Sequence, residues 1–231
     1  MVTARQRAAL ACRARPRRAT TGRHGGVVRL RLGARVRVAV AEQRLLTHLP
    51  PAPSDLATVG DLPAGPRAER LAARALLRLL LAAELGRTAG ATPIAAHDGG
   101  QPHLPEWPEV SVSLSHDAGT VAAALGRGVP VGVDVQVPVT VPPALLRRCC
   151  DPAVRAALNR LPEAARDREF AWIWTVQEAC VKATGAGLAG RPWAIAVPAG
   201  RRTGCWAGLR WVSLRGHTRV PASVAHGVGT R

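Results

Sequence analysis

The 231-residue chain carries 32 Lys and Arg side chains against 15 Asp and Glu, a formal net charge of +17. A field of this strength attracts anionic partners, and the chain is long enough to bury one medium core or two small ones. The five cysteines form no C-x-x-C pair and the longest apolar run is too short to span a bilayer, which argues against a disulfide framework, a zinc site and a membrane protein. We therefore expect a cytoplasmic protein.

Positive charge is concentrated at the start of the chain. The first 37 residues contain 11 arginines and no carboxylate. Residues 1–25 lack the apolar run of a signal peptide, and we interpret them as a disordered basic tail. An organellar presequence is the less favoured alternative.

The next segments predict a strand, a loop and a long helix. Residues 27–40 alternate apolar and arginine side chains in places, as a strand or hairpin does, and residues 50–66 are a loop rich in proline and glycine. Residues 67–86 predict an amphipathic helix that Gly86 ends. Its predicted apolar stripe comprises Leu71, Ala75, Leu76, Leu79 and Leu80.

The middle of the chain predicts short strands on either side of a boundary. A proline-containing loop at 97–110 precedes strands at 111–116 and 121–125, and GRGVP at 126–130 is the natural boundary. Residues 131–137 alternate with a clean period of two, as a strand does.

The last third of the chain predicts helices followed by strands. Two short helical pieces flank Asp151-Pro152, and residues 163–185 predict a second long helix that Gly185 closes. The tail, with segments 205–214 and 219–227, is typical of β-structure.

GVDVQ at 132–136 places an acid inside an apolar strand. In a strand, Asp134 and Gln136 share one face while the valines on either side share the other. A carboxylate there is costly if it is buried without a partner. On this local pattern alone, an edge aspartate that faces water is the favoured interpretation.

The only lysine of the chain lies on the second long helix. Trp174, Glu178 and Lys182 follow one another at i, i+4 and i+8, so they form one ridge. An ordinary surface ion pair of Glu178 and Lys182, worth about 0.3 to 0.5 kcal/mol, is the alternative. All other Lys and Arg positions of the chain are arginine. Because a compact ammonium differs chemically from a guanidinium, a lysine at this one position weakens the alternative. The SLSH segment at 113–116 alone is more typical of a turn cap.

Taken together, SLSH at 113–116, GVDVQ at 132–136, WTVQEACVK at 174–182 and GAGL at 185–188 resemble the Sfp-type 4′-phosphopantetheinyl transferases. The resemblance spans residues 68–190. It implies an α+β fold of two similar α/β subdomains, residues 26–125 and 126–231, in a pseudo-twofold arrangement with the active site at their interface.

The resemblance also implies an activity and a set of site residues. Phosphopantetheine would pass from coenzyme A to a serine of a carrier protein, with release of adenosine 3′,5′-bisphosphate and with Mg²⁺ as cofactor. Asp134 and Glu178 would hold the metal together with Gln136, and Lys182 would hold the diphosphate or assist proton transfer, two roles that the sequence leaves open. Four further positions would meet coenzyme A: Ser115 and His116 at its phosphates, and Arg70 and Arg74 at its 3′-phosphate.

Three glutamines depart from the family pattern. Gln136 stands where the family often has a third acidic ligand, Gln177 replaces a lysine before Glu178, and Gln101, in Gln101-Pro102 near the nucleotide, replaces another lysine. Each change removes a charge, so we expect weaker metal and substrate binding but an active enzyme.

The resemblance implies acidic acyl or peptidyl carrier proteins as partners, in fatty-acid, polyketide or nonribosomal-peptide synthesis, and a monomeric enzyme. An inactive paralogue that binds coenzyme A is one alternative. A nucleic-acid-binding protein is another, favoured by charge but opposed by the absence of any aromatic-basic or zinc-finger motif.

Overall fold

A computed structural model describes residues 20–24, 26–97 and 99–228. This part of the chain is a mixed α/β structure with eleven strands and six α-helices. Residues 20–24, which the sequence assigned to a disordered tail, instead form a strand. The remainder of that predicted tail, residues 1–19 and 25, lies outside the described residues. None of the helices in the described residues combines the length and the hydropathy that a membrane span requires.

The first half is an antiparallel sheet of five strands in the order β1-β2-β3-β7-β6, and a separate small hairpin pairs β4 with β5. Its strands are β1 (Thr20–His24), β2 (Val27–Leu32), β3 (Val36–Glu42), β4 (Ala95–Ala96), β5 (Pro102–His103), β6 (Val110–Asp117) and β7 (Thr120–Arg127). Its helices are α1 (Pro53–Leu56), α2 (Ala64–Leu85) and α3 (Arg87–Ala91). The hairpin predicted near 27–40 is confirmed.

The second half is an antiparallel sheet of four strands in the order β8-β11-β10-β9. Its elements are β8 (Val131–Val135), α4 (Pro143–Cys149), α5 (Pro152–Leu158), α6 (Glu163–Thr184), β9 (Thr203–Trp206), β10 (Leu209–Ser213) and β11 (Ala222–Gly227). The helix predicted at 163–185 is confirmed, and Gly185 ends it in the left-handed conformation, with φ 70° and ψ 5°.

The apolar stripe predicted for α2 is displaced around the helix. The buried face of α2 contains Ala72, Ala73, Arg74, Leu76, Leu77, Leu80 and Leu81, whereas Leu71, Ala75 and Leu79 are only half-buried. The displacement has a physical reason: Arg74 takes a buried position because it forms an ion pair with Asp55.

The two sheets pack face to face between the long helices. In β3, Ala39 and Ala41 face α2, while Val38 and Val40 face a central apolar cluster that the second sheet completes. The valines of β8 belong to this central cluster, so Asp134 and Gly132 point the other way, toward α6. The alternation of residues in β8 thus directs the valines into the core and Asp134 toward α6.

Three serines join the edges of the two sheets. Strands β6 and β8 lie side by side, and hydroxyl oxygens on β6 accept hydrogen bonds from backbone N–H groups of β8: Ser111 from Val131 (3.2 Å), Ser113 from Val133 (3.0 Å) and Ser115 from Val135 (3.3 Å). This serine ladder satisfies donors that a backbone partner would otherwise satisfy. It also fixes the register of one half against the other.

Helix α6 packs directly on β8 because Gly132 has no side chain. A Cβ atom at this position would clash with backbone atoms of Ala179 and Ala183, and it would lie 3.0 Å from the carbonyl carbon of Lys182. The close approach sets the height of α6 above the strand. It therefore determines which side chains of α6 can reach Asp134.

We predict that Gly132→Ala destabilises the protein by about 1 to 3 kcal/mol or more, because backbone atoms cannot move aside as a flexible side chain can. The free energy of unfolding in urea measures this change. Gly60→Ala is the matched control, since a Cβ there meets nothing within 4 Å and should change stability by less than about 0.5 kcal/mol. Equal stability of the two variants would contradict the close packing.

Candidate active site

A polar cleft of about 260 Å³ opens where β6, β8 and α6 meet. Its walls contain the acids and the lysine that the sequence singled out. The lining residues are Leu114, Ser115, His116, Asp117, Asp134, Val135, Gln136, Trp174, Glu178 and Lys182. Asp134 and Glu178 therefore share one cleft although 44 positions of sequence separate them.

Asp134 links a lysine and a serine of the cleft. It is 6% exposed, and its Oδ1 accepts hydrogen bonds from Lys182 Nζ at 2.6 Å and from Ser115 Oγ at 2.8 Å. Lys182 Nζ also donates to Ser115 Oγ at 3.1 Å. The interpretation of Asp134 as an edge residue that faces water is therefore wrong: it is a buried carboxylate with a cationic partner.

Ser115 binds its neighbours in the protein. Its hydroxyl donates to Asp134 and accepts from Lys182 and from the N–H of Val135, and its side chain is buried. These bonds use the donor and both acceptor positions of the hydroxyl. Ser115 thus holds Asp134 and Lys182 in place, and the structure leaves it no free position for the phosphate contact that the resemblance implied.

Glu178 faces the cleft from α6 with no hydrogen bond among the described residues. Burial raises its pKa above the ordinary value, the negative charge of Asp134 raises it further, and Lys182 opposes the rise. Two carboxylates that share a half-buried cleft with one ammonium form a group that a further cation would stabilise.

The donor set fits a magnesium ion that substrate helps to bind. No group of three or more His, Cys, Asp or Glu side chains placed to hold a metal occurs among the described residues. Mg²⁺ needs no such cage, because it commonly takes one or two carboxylates and completes its shell with waters and phosphate oxygens. Asp134 and Glu178 would supply those carboxylates, and the Gln136 side chain would add an amide.

His116 is positioned by a residue that the sequence did not indicate. Its Nδ1 lies 3.1 Å from Oε2 of Glu69 on α2, and Oε1 of Glu69 accepts from the N–H of Gly119 at 2.8 Å. Glu69 therefore ties the β6–β7 turn to α2 and orients the imidazole at the mouth of the cleft. Its position on the polar face of a predicted helix carried no signal of this contact.

Asp117 is a cleft residue that the sequence did not indicate. Its Oδ2 accepts from Gln136 Nε2 at 2.8 Å and from the N–H of Val137 at 2.6 Å. The sequence contained a weak signal for Asp117, because this residue directly follows His116 at the end of a predicted strand. Such a position is typical of a turn, and it did not indicate a cleft residue.

The arginines proposed for the 3′-phosphate have different environments. Arg74 is buried, donates to Asp55 Oδ1 at 2.7 Å and to the carbonyl of Ile94 at 2.6 Å, and shares Asp55 with Arg78. Burial alone would raise the pKa of Asp55, but Arg78 and Arg74 together hold it below the ordinary value. Arg74 is thus fixed in a structural ion pair. Arg70 is exposed, and among the described residues it donates only to the Thr58 carbonyl.

Gln101 and Pro102 lie near the C-terminal end of α6 and not among the cleft-lining residues. Gln101 Nε2 donates to the carbonyl of Lys182 at 3.3 Å, and its side chain packs on Gly185. Pro102 is in the small β4–β5 hairpin. The structure therefore connects Gln101 to the helix that carries Lys182.

Gln177 points away from the cleft. It is fully buried, and its Nε2 donates to the carbonyls of Cys149 and Ile195, both at 2.8 Å. The amide therefore ties α6 to the end of α4 and to the loop before β9. Gln177 is not among the residues that line the cleft, and its effect on substrate binding stays a prediction.

Comparison with protein families singles out the half that carries most of these groups. A sequence model described as the 4′-phosphopantetheinyl transferase superfamily matches residues 130–206. Over these residues, about a third of its length, the chain is similar to that superfamily. No curated protein matches the chain. The superfamily segment includes Asp134, Gln136, Glu178 and Lys182, whereas Ser115 and His116 lie outside it.

We predict that Glu178→Gln raises the melting temperature of the protein without metal at pH 8. A carboxyl whose folded-state pKa is raised stabilises the fold below its unfolded-state pKa, and that contribution is lost as pH rises through the folded-state pKa. The gain should therefore vanish near pH 4, where the carboxyl is protonated in the folded state. Thermal denaturation in the presence of a chelator at both pH values measures the difference.

Glu163→Gln is the control for this prediction, because Glu163 lies on the same helix and its side chain is 71% exposed. It should show no comparable gain at pH 8. A Glu178→Gln variant that melts at the parent temperature at pH 8 would contradict the burial of the charge.

Proposed function

We propose that the protein is an Sfp-type transferase that moves 4′-phosphopantetheine from coenzyme A to a serine of an acyl or peptidyl carrier protein. One observation carries the proposal: three charged residues of the superfamily segment, Asp134, Glu178 and Lys182, meet in a single cleft. They come from a strand and a helix that the fold brings together at Gly132. The cleft opens at the seam between the two halves.

The proposed reaction transfers one phosphoryl centre. The serine oxygen of the carrier attacks the phosphorus that bears pantetheine, and the bond from that phosphorus to the bridging oxygen of the diphosphate breaks. Adenosine 3′,5′-bisphosphate leaves with the bridging oxygen, and the serine proton passes to a base. Such a reaction depends mainly on positioning and on neutralising the charge of the phosphates.

Different residues of the proposed site would position the substrate and neutralise its charge. Asp134 and Glu178 would hold Mg²⁺, assisted by the Gln136 side chain, and the bound ion would neutralise the diphosphate. His116, at the cleft mouth, would contact the phosphates of coenzyme A, and exposed Arg70 on α2 would meet its 3′-phosphate. Gln101 and Pro102 would border the nucleotide side of the site.

The geometry gives a reason for the single lysine. An ammonium has three donors, and Lys182 uses two of them on Asp134 and Ser115. The third donor remains for a phosphate oxygen. A planar guanidinium is longer and wider, so it would displace Asp134 if it were to make the same contacts. We therefore assign Lys182 to binding the diphosphate.

The proposal extends to architecture and partner. Each sheet carries one helix of 22 residues, α2 or α6, and we interpret the halves 26–125 and 126–231 as subdomains related by a pseudo-twofold axis. The net charge of +17 would speed encounter with an acidic carrier protein, and this advantage would fall as salt rises. We expect a monomer to suffice, since the described cleft is built within one chain.

We predict that Asp134→Ala and Glu178→Ala each lower the transfer rate by on the order of 100-fold or more, because each removes half of the carboxylate pair. Mass spectrometry of an apo carrier domain mixed with protein, coenzyme A and Mg²⁺ measures the gain of one phosphopantetheine group. Lys182→Arg should lose most of the rate as well. Glu163→Ala, on the exposed start of α6, is the control and should be near normal.

Three outcomes of this assay would contradict the proposal. Near-normal transfer by either carboxylate variant would remove the metal assignment. Normal transfer by Lys182→Arg would show that the lysine has no special role. A parent protein that binds coenzyme A and transfers nothing would be an inactive paralogue.

We predict a further difference between two serines of the ladder. Ser113→Ala and Ser115→Ala each leave one N–H of β8 unsatisfied, so each should lower stability by about 1 to 3 kcal/mol. Only Ser115→Ala should also lower the transfer rate, because only Ser115 contacts Asp134 and Lys182. Equal transfer rates in the two variants would show that Ser115 has no positioning role.

A further inference from the structure

The Gln136 side chain is held in one orientation by its neighbours. Its amide nitrogen Nε2 donates to Asp117 Oδ2 at 2.8 Å and to the carbonyl oxygen of Val137 at 3.2 Å. Asp117 Oδ2 is itself fixed, because it also accepts from the N–H of Val137 at 2.6 Å. Gln136, Asp117 and the backbone of Val137 thus form a closed set of hydrogen bonds at the cleft wall.

The hydrogen-bonding capacity of the partners determines whether the nitrogen or the oxygen of the Gln136 amide faces Asp117 and Val137. Both partners of Nε2 are acceptors, so the reversed amide would place an oxygen against two oxygens. The amide oxygen Oε1 is therefore the end left over, and among the described residues it has no hydrogen-bond partner. Gln136 lines the cleft beside Asp134 and Glu178. An uncharged side chain at the cleft wall thus keeps one oxygen acceptor that no described residue uses.

We propose that Asp117 is a positioning residue that makes Gln136 an oxygen ligand of the cleft. The inference rests on the proposed function, because the ion that Oε1 would meet is the Mg²⁺ of that reaction. Asp117 holds the amide nitrogen and so selects the oxygen for the ion. Amide oxygens are ordinary ligands of hard divalent cations.

The same contact explains why a glutamate at 136 does not fit this chain. A carboxylate in place of the amide would put an oxygen against Asp117 Oδ2, where Nε2 now lies at 2.8 Å, and two carboxylates this close repel one another. At this wall of the cleft, position 117 carries the negative charge and position 136 carries the amide. Exchanging the two, as Asp117→Asn with Gln136→Glu, preserves both the net charge and the number of donors.

A double-mutant cycle in the protein without metal tests the contact. At pH 8 with a chelator, Gln136→Glu alone should lower the melting temperature by about 2 to 4 °C. The same substitution in the Asp117→Asn background should cause a clearly smaller loss, because the carboxylate then faces only the Val137 carbonyl oxygen and no second carboxylate. Thr140→Glu, at an exposed position nearby, controls for an added charge that does not face Asp117. An equal change in both backgrounds would overturn the inference.

Binding of Mn²⁺ in the presence of coenzyme A, followed by electron paramagnetic resonance as a probe of the magnesium site, tests the ligand role. Gln136→Met keeps the length of the side chain but removes the oxygen, and Asp117→Ala releases the amide. Each should weaken Mn²⁺ binding by about tenfold. The exchanged double variant should bind at least as tightly as the parent.

The two experiments fail in different ways. Unchanged Mn²⁺ affinity in Gln136→Met would overturn the ligand role of Gln136. A parent protein that binds no Mn²⁺ in the presence of coenzyme A would overturn that role together with the proposed function. The melting temperatures would still decide whether Asp117 holds the amide, because that contact needs neither metal nor turnover.

Discussion

The bond from Lys182 to Asp134 is the contact on which the rest of the site depends. It spans 2.6 Å from α6 to β8, and it exists because Gly132 lets the helix lie directly on the strand. A buried carboxylate without this partner would be strongly destabilising. The pair in turn gathers Ser115 from the first sheet. One ion pair thus joins the helix and both sheets at the seam where the cleft opens.

The sequence predicted well wherever structure follows from local pattern. The period of two in β8 correctly separated the valines from Asp134, and the ridge of Trp174, Glu178 and Lys182 correctly placed all three on the cleft side of α6. Gly185 ended that helix as expected, because glycine adopts the left-handed conformation of a helix C-terminus without a steric penalty. These inferences needed only the geometry of a single strand or helix.

The sequence predicted poorly wherever a side chain chooses between distant partners. Arg74 and the exposed Arg70 are one turn apart on α2, yet Asp55 from α1 buries Arg74. Gln177 is adjacent to Glu178, yet it lies on the far face of α6 and binds two carbonyls. Gln136 was interpreted as a lost charge because its partner Asp117 is 19 residues away. Only the packing of the elements determines such choices.

The central proposal is that Asp134 and Glu178 bind one divalent ion beside a diphosphate. A crystal grown with Mn²⁺ and coenzyme A tests this proposal most directly. Anomalous scattering locates manganese without reference to any assumed ligand. The account predicts one strong anomalous peak between the two carboxylates, in contact with the diphosphate of coenzyme A. Coenzyme A bound in the cleft with no such peak, or with manganese held elsewhere, would contradict it.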